Sequence, residues 1–341
     1  MTRTTPSLCL VAAVGLAGCG GSEPPPDALT IYVSADEHIA RRVLDAFTER
    51  SGIEVQWVGD TEASKTTGLA QRLRREHDRP VADVFWSSEI LHTIDLAREG
   101  VLEPCRSDFL RGWPADLRGS AHQWYAFSPR ARVIAFDPDR VDVATLPDTW
   151  WEYAEAAIAD PRFGTTGTHL AAMAAWCEAQ GDGDRIDEFL SQLRGPPRSG
   201  GNAATVEAVI RGEVRLAMTD SDDVHAALAA GHNIAMFHPR HGGQGQGGGT
   251  LLIPNTVAVV AGTDAPQQAR AFVEFMLSDE VATLLARSDS HNIPLQPAVA
   301  AMFPSLQVPD PLRVNFERAA DLREHIVGTA FSLMEDRIAP P

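Results

Sequence analysis

Hydrophobic and polar residues alternate along the first third of the chain in blocks that predict strands and helices in turn. The segment LTIYVSA (29–35) is typical of a strand, EHIARRVLDAFTERSG (37–52) of a helix that ends at a glycine, and IEVQWVG (53–59) of a second strand. The same order continues with a helix in 61–77, then a buried strand and a helix in 81–100. Such alternation predicts a largely parallel sheet covered by helices on both faces.

A second block of elements begins at RARVIAFDPDRV (130–141), which predicts a strand followed by a turn. Helices are predicted in THLAAMAAWCEAQ, RIDEFLSQLRG and NAATVEAVIRGE, and the apolar alternation of VRLAMTD predicts a strand. TLLIPNTVAVVAG (250–262) predicts a strand long enough to cross between two lobes, and 265–288 an amphipathic helix.

The N-terminus has the pattern of an export signal. A single arginine precedes an apolar run too short to span a bilayer, and the run closes on small residues before Cys19. We expect residues 1–18 to be a signal peptide, Cys19 to carry lipid, and residues 19–28 to form a Gly/Pro tether. The alternative is an ordinary signal peptide that happens to contain a cysteine.

Composition limits the partners and the number of lobes. The chain has 341 residues and a formal net charge of −17, which argues against nucleic acid and anionic lipid as partners because both would repel it. The length after the tether predicts two lobes. Cys105 and Cys177 remain once Cys9 and Cys19 are set aside, and we expect two separate buried thiols without metal-ligand spacing. A disulfide between them is the alternative, because an oxidising compartment permits one.

Polar residues cluster where the predicted strands end, which is where open parallel sheets bind their ligands. Each residue singly is also a good N-cap, so capping is the alternative for every one of them. The candidates in the first block are Ser34, Asp36, Glu37, Thr61, Glu62, Ser64, Ser87 and Ser88. Those in the second block are Thr166, Gly167, Thr168, Asn202, Asp220, Asp222 and Asp223. Acids as close as those in DSDD (220–223) repel unless they are hydrogen-bonded, protonated or neutralised by a cation.

The chain contains, in this order, the segments LTIYVSADEHIARRVLDAF, SGIEVQWV, ADVFWSSE, LAREGVLEP, LPDTWWEYA, GNAATVEAVIRGEVRLAMTD and AFVEFMLSDEVATLLA. In these segments and their order, the chain resembles the bacterial ferric-ion-binding proteins of ABC importers. The resemblance implies the two-lobed periplasmic-binding-protein fold, an α/β class in which each lobe is a mostly parallel sheet flanked by helices. Two crossing hinge strands join the lobes. On this alignment, 29–127 with 255–287 form lobe 1, and 128–254 with 288–341 form lobe 2.

The resemblance also implies a function. We expect a monomeric, lipid-anchored solute-binding protein at the periplasmic or outer face of the membrane, which clamps a small ligand between its lobes and delivers it to an ABC permease. The implied ligand is iron(III) or another hard cation with a bound anion, and no organic cofactor is expected. A small organic or oxyanion ligand is the first alternative. A metal-dependent hydrolase and a receptor-coupled sensor are the others, although no hydrolase motif is present.

Residue by residue, the resemblance places Asp222 and Asp223 where ferric members carry two adjacent tyrosines, and Asp36 where some carry a histidine. Carboxylates are hard anionic ligands, so they keep oxygen ligation but suit Ca, Mg or Mn as well as iron. The family's anion site falls on Thr166, Gly167 and Thr168, with Asn202 assisting. Lys65 and Arg130 or Arg132 are candidates to add positive charge there, although the arginines also fit a solubilising role at a strand edge.

Two further groups are predicted to lie outside the site. His232, His238 and His241 flank the glycine-rich segment HGGQGQGGG and are expected in a solvated loop. Trp150 and Trp151 are expected to pack in or on a lobe.

Overall fold

The structure, a computed structural model, describes residues 28–60, 67–194, 198–244 and 247–335. The predicted signal peptide, Cys19 and most of the tether lie outside the described residues. Within those ranges, no helix is both long and apolar enough to cross a membrane.

The strands of the described residues belong to one mixed sheet with the order β2-β1-β3-β8-β5-β6. They are β1 (Leu29–Val33), β2 (Val55–Gly59), β3 (Val84–Ser87), β4 (Leu102–Glu103), β5 (Tyr125–Phe136), β6 (Leu216–Asp220), β7 (Ala235–Phe237) and β8 (Leu252–Val260). β1 pairs in parallel with β2 and β3, whereas β8 is antiparallel to β3, β4 and β5, and β5 is antiparallel to β6 and β7.

Helices cover the sheet on both faces. They are α1 (Glu37–Ser51), α2 (Thr67–Arg75), α3 (Ile90–Arg98), α4 (Asp108–Arg111), α5 (Thr165–Gln180), α6 (Asp184–Gln192), α7 (Gly201–Ile210), α8 (Ser221–Ala229), α9 (Pro266–Met276), α10 (Asp279–Arg287), α11 (Pro297–Ala300) and α12 (Phe316–Glu335). α1, α9 and α10 bury their apolar residues on one face of β1, β3 and β8, while α2 and α3 pack on the opposite face. Around the second half of β5, α5, α6 and α12 share one core and α7 and α8 another.

The two longest strands, β5 and β8, connect these halves. β5 pairs with β8 at its start and then with β6 from Arg132 onward. The pairing is interrupted by a bulge at Ser128, whose backbone is left-handed (φ 36°) and whose carbonyl accepts a hydrogen bond from Asn255 Nδ2 at 2.7 Å. The bulge therefore lies where β5 passes from one half of the sheet to the other.

Several element boundaries differ from those predicted. α1 ends as predicted at Gly52, which adopts φ 71°. The predicted helix over 265–288 is two helices, because the hydroxyl of Ser278 accepts a hydrogen bond from Val281 N and begins a new one. β5 begins at Tyr125 instead of at Arg130, and α5 begins at Thr165, so the predicted anion-binding residues lie within its first turn.

Candidate functional site

A cavity of about 260 Å³ lies between the two halves of the molecule. Its wall on one side comes from the ends of β1 and β3, and on the other from the starts of α5, α7 and α8. Of the predicted ligand-binding residues, the cavity brings together Ser34, Asp36, Ser88, Asn202, Asp220, Asp222 and Asp223. The strand-exit rule therefore selected residues from both walls.

The acidic stretch 220–223 lies where β6 passes directly into α8. Asp220 occupies the N-cap position, but its side chain makes no capping hydrogen bond. Asp222 and Asp223 lie in the first turn of the helix, where negative charge is favoured by the helix dipole. N-capping, the alternative explanation for Asp220, is wrong.

The carboxylate of Asp220 instead lies between two buried arginines of β5. Its Oδ2 accepts from Arg130 Nε at 3.1 Å, and its Oδ1 accepts from Arg132 Nη1 at 3.0 Å. Burial alone would raise the pKa of Asp220, but the two guanidinium groups outweigh burial and hold the pKa below its ordinary value. Burial alone would lower the pKa of Arg130. The nearby carboxylates of Asp222, Asp220 and Asp223 outweigh burial and raise this pKa above its ordinary value. The arginines of RARV are therefore not edge solubilisers, and they neutralise the acid that would otherwise repel its neighbours.

Two polar side chains complete the surroundings of Asp220. Its Oδ2 also accepts from Thr165 Oγ1 at 2.5 Å and from Asn202 Nδ2 at 3.0 Å. Three donors therefore bond to Oδ2 and one to Oδ1, which takes up most of the hydrogen-bonding capacity of this carboxylate. Asp220 organises the site and is a poorer candidate for contacting a ligand than Asp222 and Asp223.

Asp222 and Asp223 present carboxylates to the cavity beside this buried network. One oxygen from each lies within 4.8 Å of the other and of an oxygen of Asp220. Asp222 Oδ2 is 3.4 Å from Arg130 Nε, and Asp223 Oδ2 accepts from Thr219 Oγ1 at 3.1 Å. A span of this size is bridged by one cation with metal-oxygen distances of about 2.0–2.6 Å.

The opposite wall includes hydroxyls and the carboxylate of Asp36. Ser34 Oγ and Ser88 Oγ lie 3.2 Å apart, and Asp36 is exposed at the start of α1. The carbonyl of Ser88 accepts a hydrogen bond from Arg130 across the cavity. The two walls are thus already in contact through the guanidinium group that holds Asp220.

Other predicted residues do not line the cavity. Glu37 is exposed and pairs with Arg41, and the hydroxyl of Ser87 bonds to the backbone of Glu89. In α5, Thr166 Oγ1 accepts from Arg132 Nη2 at 3.1 Å, and Thr168 donates to the carboxylate of Glu89. Thr61, Glu62 and Ser64, together with Lys65, lie outside the described residues.

Gly167 has a packing role in the structure. A Cβ at this position would lie 2.4 Å from the carbonyl oxygen of Pro161 and 3.1 Å from Val327 Cγ2. The absence of a side chain therefore allows the start of α5 to approach the preceding loop and α12 closely.

The charge of the cavity wall is strongly unbalanced. The carboxylates are those of Asp36, Asp160, Asp220, Asp222, Asp223 and Asp289. Arg130 is the single arginine or lysine among the described lining residues, although Asp160 is also paired with Arg162 outside the wall. Such a wall favours a cation over a free anion.

The three tyrosines of the chain are all bonded elsewhere. Tyr32 donates to Glu76 at 2.6 Å, Tyr125 to the carbonyl of Cys105 and Tyr153 to the carbonyl of Pro147. None is among the residues that line the cavity, so the phenolate pair of ferric-binding sites has no equivalent here. The oxygen ligands that the described part of the wall offers are carboxylates, hydroxyls and amides.

Thr165, which the strand-exit rule also selects, bonds directly to Asp220. Sequence reasoning missed two residues that support the site, because His169 and His241 are fully buried behind Arg132. The expectation of a solvated loop is therefore wrong for His241. A usable signal was the spacing of Arg130 and Arg132, because two basic residues at i and i+2 of an apolar strand share one face and need buried partners.

The expectations for the tryptophans and cysteines are confirmed. Trp150 is fully buried and Trp151 packs against Trp176. Cys105 and Cys177 are both free and buried.

Known proteins resemble this chain over most of its length. Residues 33–283 match the family model described as bacterial extracellular solute-binding protein. The chain is 27% identical over 286 residues to the major ferric iron-binding protein of Neisseria meningitidis, covering 81% of this chain and 83% of that one. It is 26% identical over 326 residues to iron uptake protein A1 of Synechocystis, covering 84% of each.

A solved structure shows the same fold. The crystal structure of apo ferric ion-binding protein A from Pasteurella haemolytica superposes with a TM-score of 0.78 at 19% identity, covering 92% of this chain and all of that one. The predicted α/β fold class and the predicted resemblance are both confirmed.

Proposed function

Because this chain belongs to the bacterial extracellular solute-binding proteins, we propose that it captures a hard metal cation, iron(III) in the first instance, and delivers it to an ABC permease. The observation that carries the proposal is the pair Asp222 and Asp223, whose carboxylates face an acidic cavity beside a neutralised Asp220. The printed names of relatives at 26–27% identity, which describe iron-binding and iron-uptake proteins, support the choice of iron.

The chemistry of the carboxylates fits such a cargo. Most of the lone pairs of Asp220 accept hydrogen bonds from protein donors, so cation binding falls mainly to Asp222 and Asp223, with Asp36 from the opposite wall as the third acidic candidate. Carboxylate oxygens are hard ligands that suit small, highly charged ions. Closure of the two walls on a cation would bring opposite charge between acids that otherwise repel.

An accompanying anion follows from the position of Arg130. A cation held by Asp222 would lie near the guanidinium group, whose Nε is 3.4 Å from Asp222 Oδ2, and the two positive charges would repel. An oxyanion placed between them would attract both. The starts of α1, α5, α7 and α8 surround the cavity, and their backbone N–H groups favour such an anion.

The finer features of the function are also part of this proposal. We place the lobes at 29–127 with 255–287 and at 128–254 with 288–341, in keeping with the separate cores on the two sides of the bulge in β5. The chain acts as a monomer anchored by lipid on Cys19 at the periplasmic or outer face of the membrane. It makes and breaks no bond in its cargo.

A zwitterionic organic solute is the second candidate. The cavity of about 260 Å³ is far larger than a metal ion, and its wall carries carboxylates next to Arg130. An amine would bind the carboxylates while an acidic group would bind Arg130. The absence of tyrosine from the described wall favours this candidate over a copy of the ferric site.

Thermal unfolding with added ligands tests both. The chain lacking residues 1–19 is heated with iron(III) supplied as a weak chelate, with and without phosphate, carbonate or citrate, and separately with amino acids and other small zwitterions. Ligand at 100 times Kd stabilises the folded state by about 2.7 kcal/mol, which raises Tm by several degrees. A rise with iron(III) that needs the anion supports the proposal, and a rise with a zwitterion alone replaces it with the second candidate.

Matched variants show where the ligand binds. Asp222→Asn with Asp223→Asn removes both carboxylate charges from the first turn of α8 and is expected to abolish the iron-dependent rise. Asp184→Asn with Asp187→Asn removes two exposed acids from the first turn of α6 and is expected to leave it unchanged. Equal rises in the two double variants would place the ligand elsewhere.

A further inference from the structure

Two histidines from distant parts of the chain meet behind the binding cavity. His169 lies in α5 and His241 follows the segment after β7, and both are fully buried. Their rings pack edge to face with centroids 5.4 Å apart, and His169 also packs against Trp150 at 4.4 Å. Neither histidine lines the cavity, so neither is positioned to contact the ligand.

The hydrogen bonds of the pair determine which ring nitrogens carry protons. Arg132 Nε donates to His169 Nδ1 at 3.3 Å, so this nitrogen is unprotonated. His241 Nδ1 lies 2.8 Å from the carbonyl oxygen of Gly249, which only accepts, so Nδ1 carries the proton. The 3.2 Å contact between the two Nε2 atoms is then a donation from His169 to His241. Each ring is neutral, with every nitrogen paired.

This chain of bonds leads from Arg132 to the glycine-rich segment 241–249. Gly242 N donates to Gly248 O at 2.7 Å, which holds the two described parts of the segment, 241–244 and 247–249, together. Asp310 accepts from Gly247 N at 2.9 Å and from Arg240 at 2.5 Å, which ties the segment to the remainder of the chain. A Cβ on Gly249 would lie 1.9 Å from the carbonyl oxygen of Asp310, so the position of this glycine is tightly limited.

At the other end, the two terminal nitrogens of Arg132 donate to three side chains around the site. Nη1 donates to Asp220 and Asn202, and Nη2 donates to Thr166. Only the bond from Nε to His169 comes from behind the cavity. His169 therefore holds the guanidinium group from the side opposite to Asp220, Asn202 and Thr166.

We propose that His169 and His241 are positioning residues of the binding site, which fix the Arg132–Asp220 ion pair by a chain of neutral imidazoles anchored on Gly249. The inference rests on the proposed function for the ligand, but the chain of bonds exists without it. Loss of the acceptor at His169 leaves a buried Arg132 N–H unpaired and lets the guanidinium group rotate. Asp220 then loses its fixed place, and the neighbouring carboxylates move with the start of α8.

Two substitutions at His169 distinguish a hydrogen-bonding role of the side chain from a role in filling space. Asn retains an oxygen acceptor near the place of Nδ1, whereas Leu fills similar space and offers no acceptor. For iron(III) supplied with citrate, we expect His169→Leu to weaken affinity by about tenfold or more, as loss of supporting contacts behind metal sites does, and His169→Asn by about threefold or less. His232→Leu, at an exposed position, serves as the control. Equal losses in the Asn and Leu variants would overturn the proposal.

Nuclear magnetic resonance of the ligand-free protein gives a readout that does not need iron. The nitrogen shifts of the wild-type imidazoles are expected to show His169 protonated on Nε2 and His241 on Nδ1. The Arg132 Nε proton is expected to exchange slowly with solvent in the wild type and in His169→Asn. It should exchange fast in His169→Leu, and the wild-type measurement stands even if that variant fails to fold.

The two measurements test the positioning role and the proposed cargo independently. The opposite tautomers, or a charged ring at neutral pH, would overturn the positioning role whatever the ligand is. The expected tautomers in a protein that does not bind iron(III) would leave the positioning role intact and overturn only the proposed cargo.

Discussion

Arg132 and Asp220 form an ion pair of 3.0 Å in which both side chains are withdrawn from solvent, at 0% and 3% exposure. Arg130 approaches the same carboxylate from the other side at 3.1 Å. The strands β5 and β6, which are distant in sequence, thus bring two arginines and one aspartate together beside the binding cavity. This arrangement explains how three acids are tolerated at the end of one strand, because the innermost acid is neutralised before any ligand arrives.

Removing the charge of Asp220 is expected to be costly. Asp220→Asn retains the shape of the side chain but leaves the buried guanidinium of Arg132 without its anion, and breaking a buried pair in this way costs about 3–5 kcal/mol. Urea unfolding of the ligand-free chain measures the loss. Asp222→Asn is the matched control, since Asp222 is 27% exposed and its partner Arg130 retains Asp220. A loss for Asp220→Asn no larger than that of the control would mean that the pair contributes little to the fold.

Two glycines in helices are expected to respond oppositely to alanine. A Cβ at Gly167 in α5 would lie 2.4 Å from a backbone oxygen, so Gly167→Ala forces a shift and is expected to cost about 1–3 kcal/mol. A Cβ at Gly328 in α12 meets nothing within 4 Å, so Gly328→Ala is expected to stabilise the chain by about 0.5–1 kcal/mol. Urea midpoints measure both changes, and a stabilising Gly167→Ala would contradict the packing described for the start of α5.

The two buried cysteines are expected to be unreactive in the folded protein. Burial raises the pKa of Cys105 to about 11 and that of Cys177 to about 12, which removes the nucleophilic thiolate at neutral pH. The chain lacking residues 1–19 should therefore give no reaction with a thiol-specific disulfide reagent when folded, and two thiols in denaturant. No reactive thiol in denaturant would indicate a bridge between Cys105 and Cys177, in conflict with two free cysteines.

The fold was predictable because it depends on local patterns. The apolar face of α1 and its glycine end, for example, follow from spacing within sixteen residues. The break between α9 and α10 could not be predicted from the same pattern, because the apolar spacing is helical on both sides of Ser278. Periodicity reports which face is buried and does not report where a single cap divides a helix.

The candidate site was predictable only in part, because its chemistry depends on long-range pairs. The strand-exit rule selected Asp220, Asp222 and Asp223 but could not distinguish their roles. The role of Asp220 depends on Arg130 and Arg132, which are about 90 residues away in sequence. His241 shows the same limit. A glycine-rich neighbourhood predicts a solvated loop, whereas its contact with His169 across 72 residues places it in the interior.

Acidification is expected to destabilise the protein through its buried histidines. Burial lowers the pKa of His241 to about 4, and it lowers the pKa of His169 well below its ordinary value with a further contribution from Arg132. These groups are neutral in the folded state and take up protons more readily when unfolded. Their contribution to stability is therefore complete above the unfolded value of 6.5, and it is lost as the pH falls toward 4.

The size and the range of this effect are measurable. His241 alone is expected to contribute about 3 kcal/mol over the window from pH 6.5 to 4, at about 1.36 kcal/mol for each pKa unit. Urea unfolding at intervals of pH should show the free energy falling through this window, and His169→Asn should reduce the slope by removing one titrating group. His232→Gln, at an exposed position, should retain the wild-type slope. Asp220 does not affect the free energy of unfolding in this pH window. The folded pKa of this carboxyl is lowered, so its contribution to stability is lost only below its ordinary pKa of 3.8. A free energy that stays flat from pH 6.5 to 4 would mean that the imidazoles take up protons in the folded state, which their burial and the hydrogen bond from Arg132 to His169 oppose.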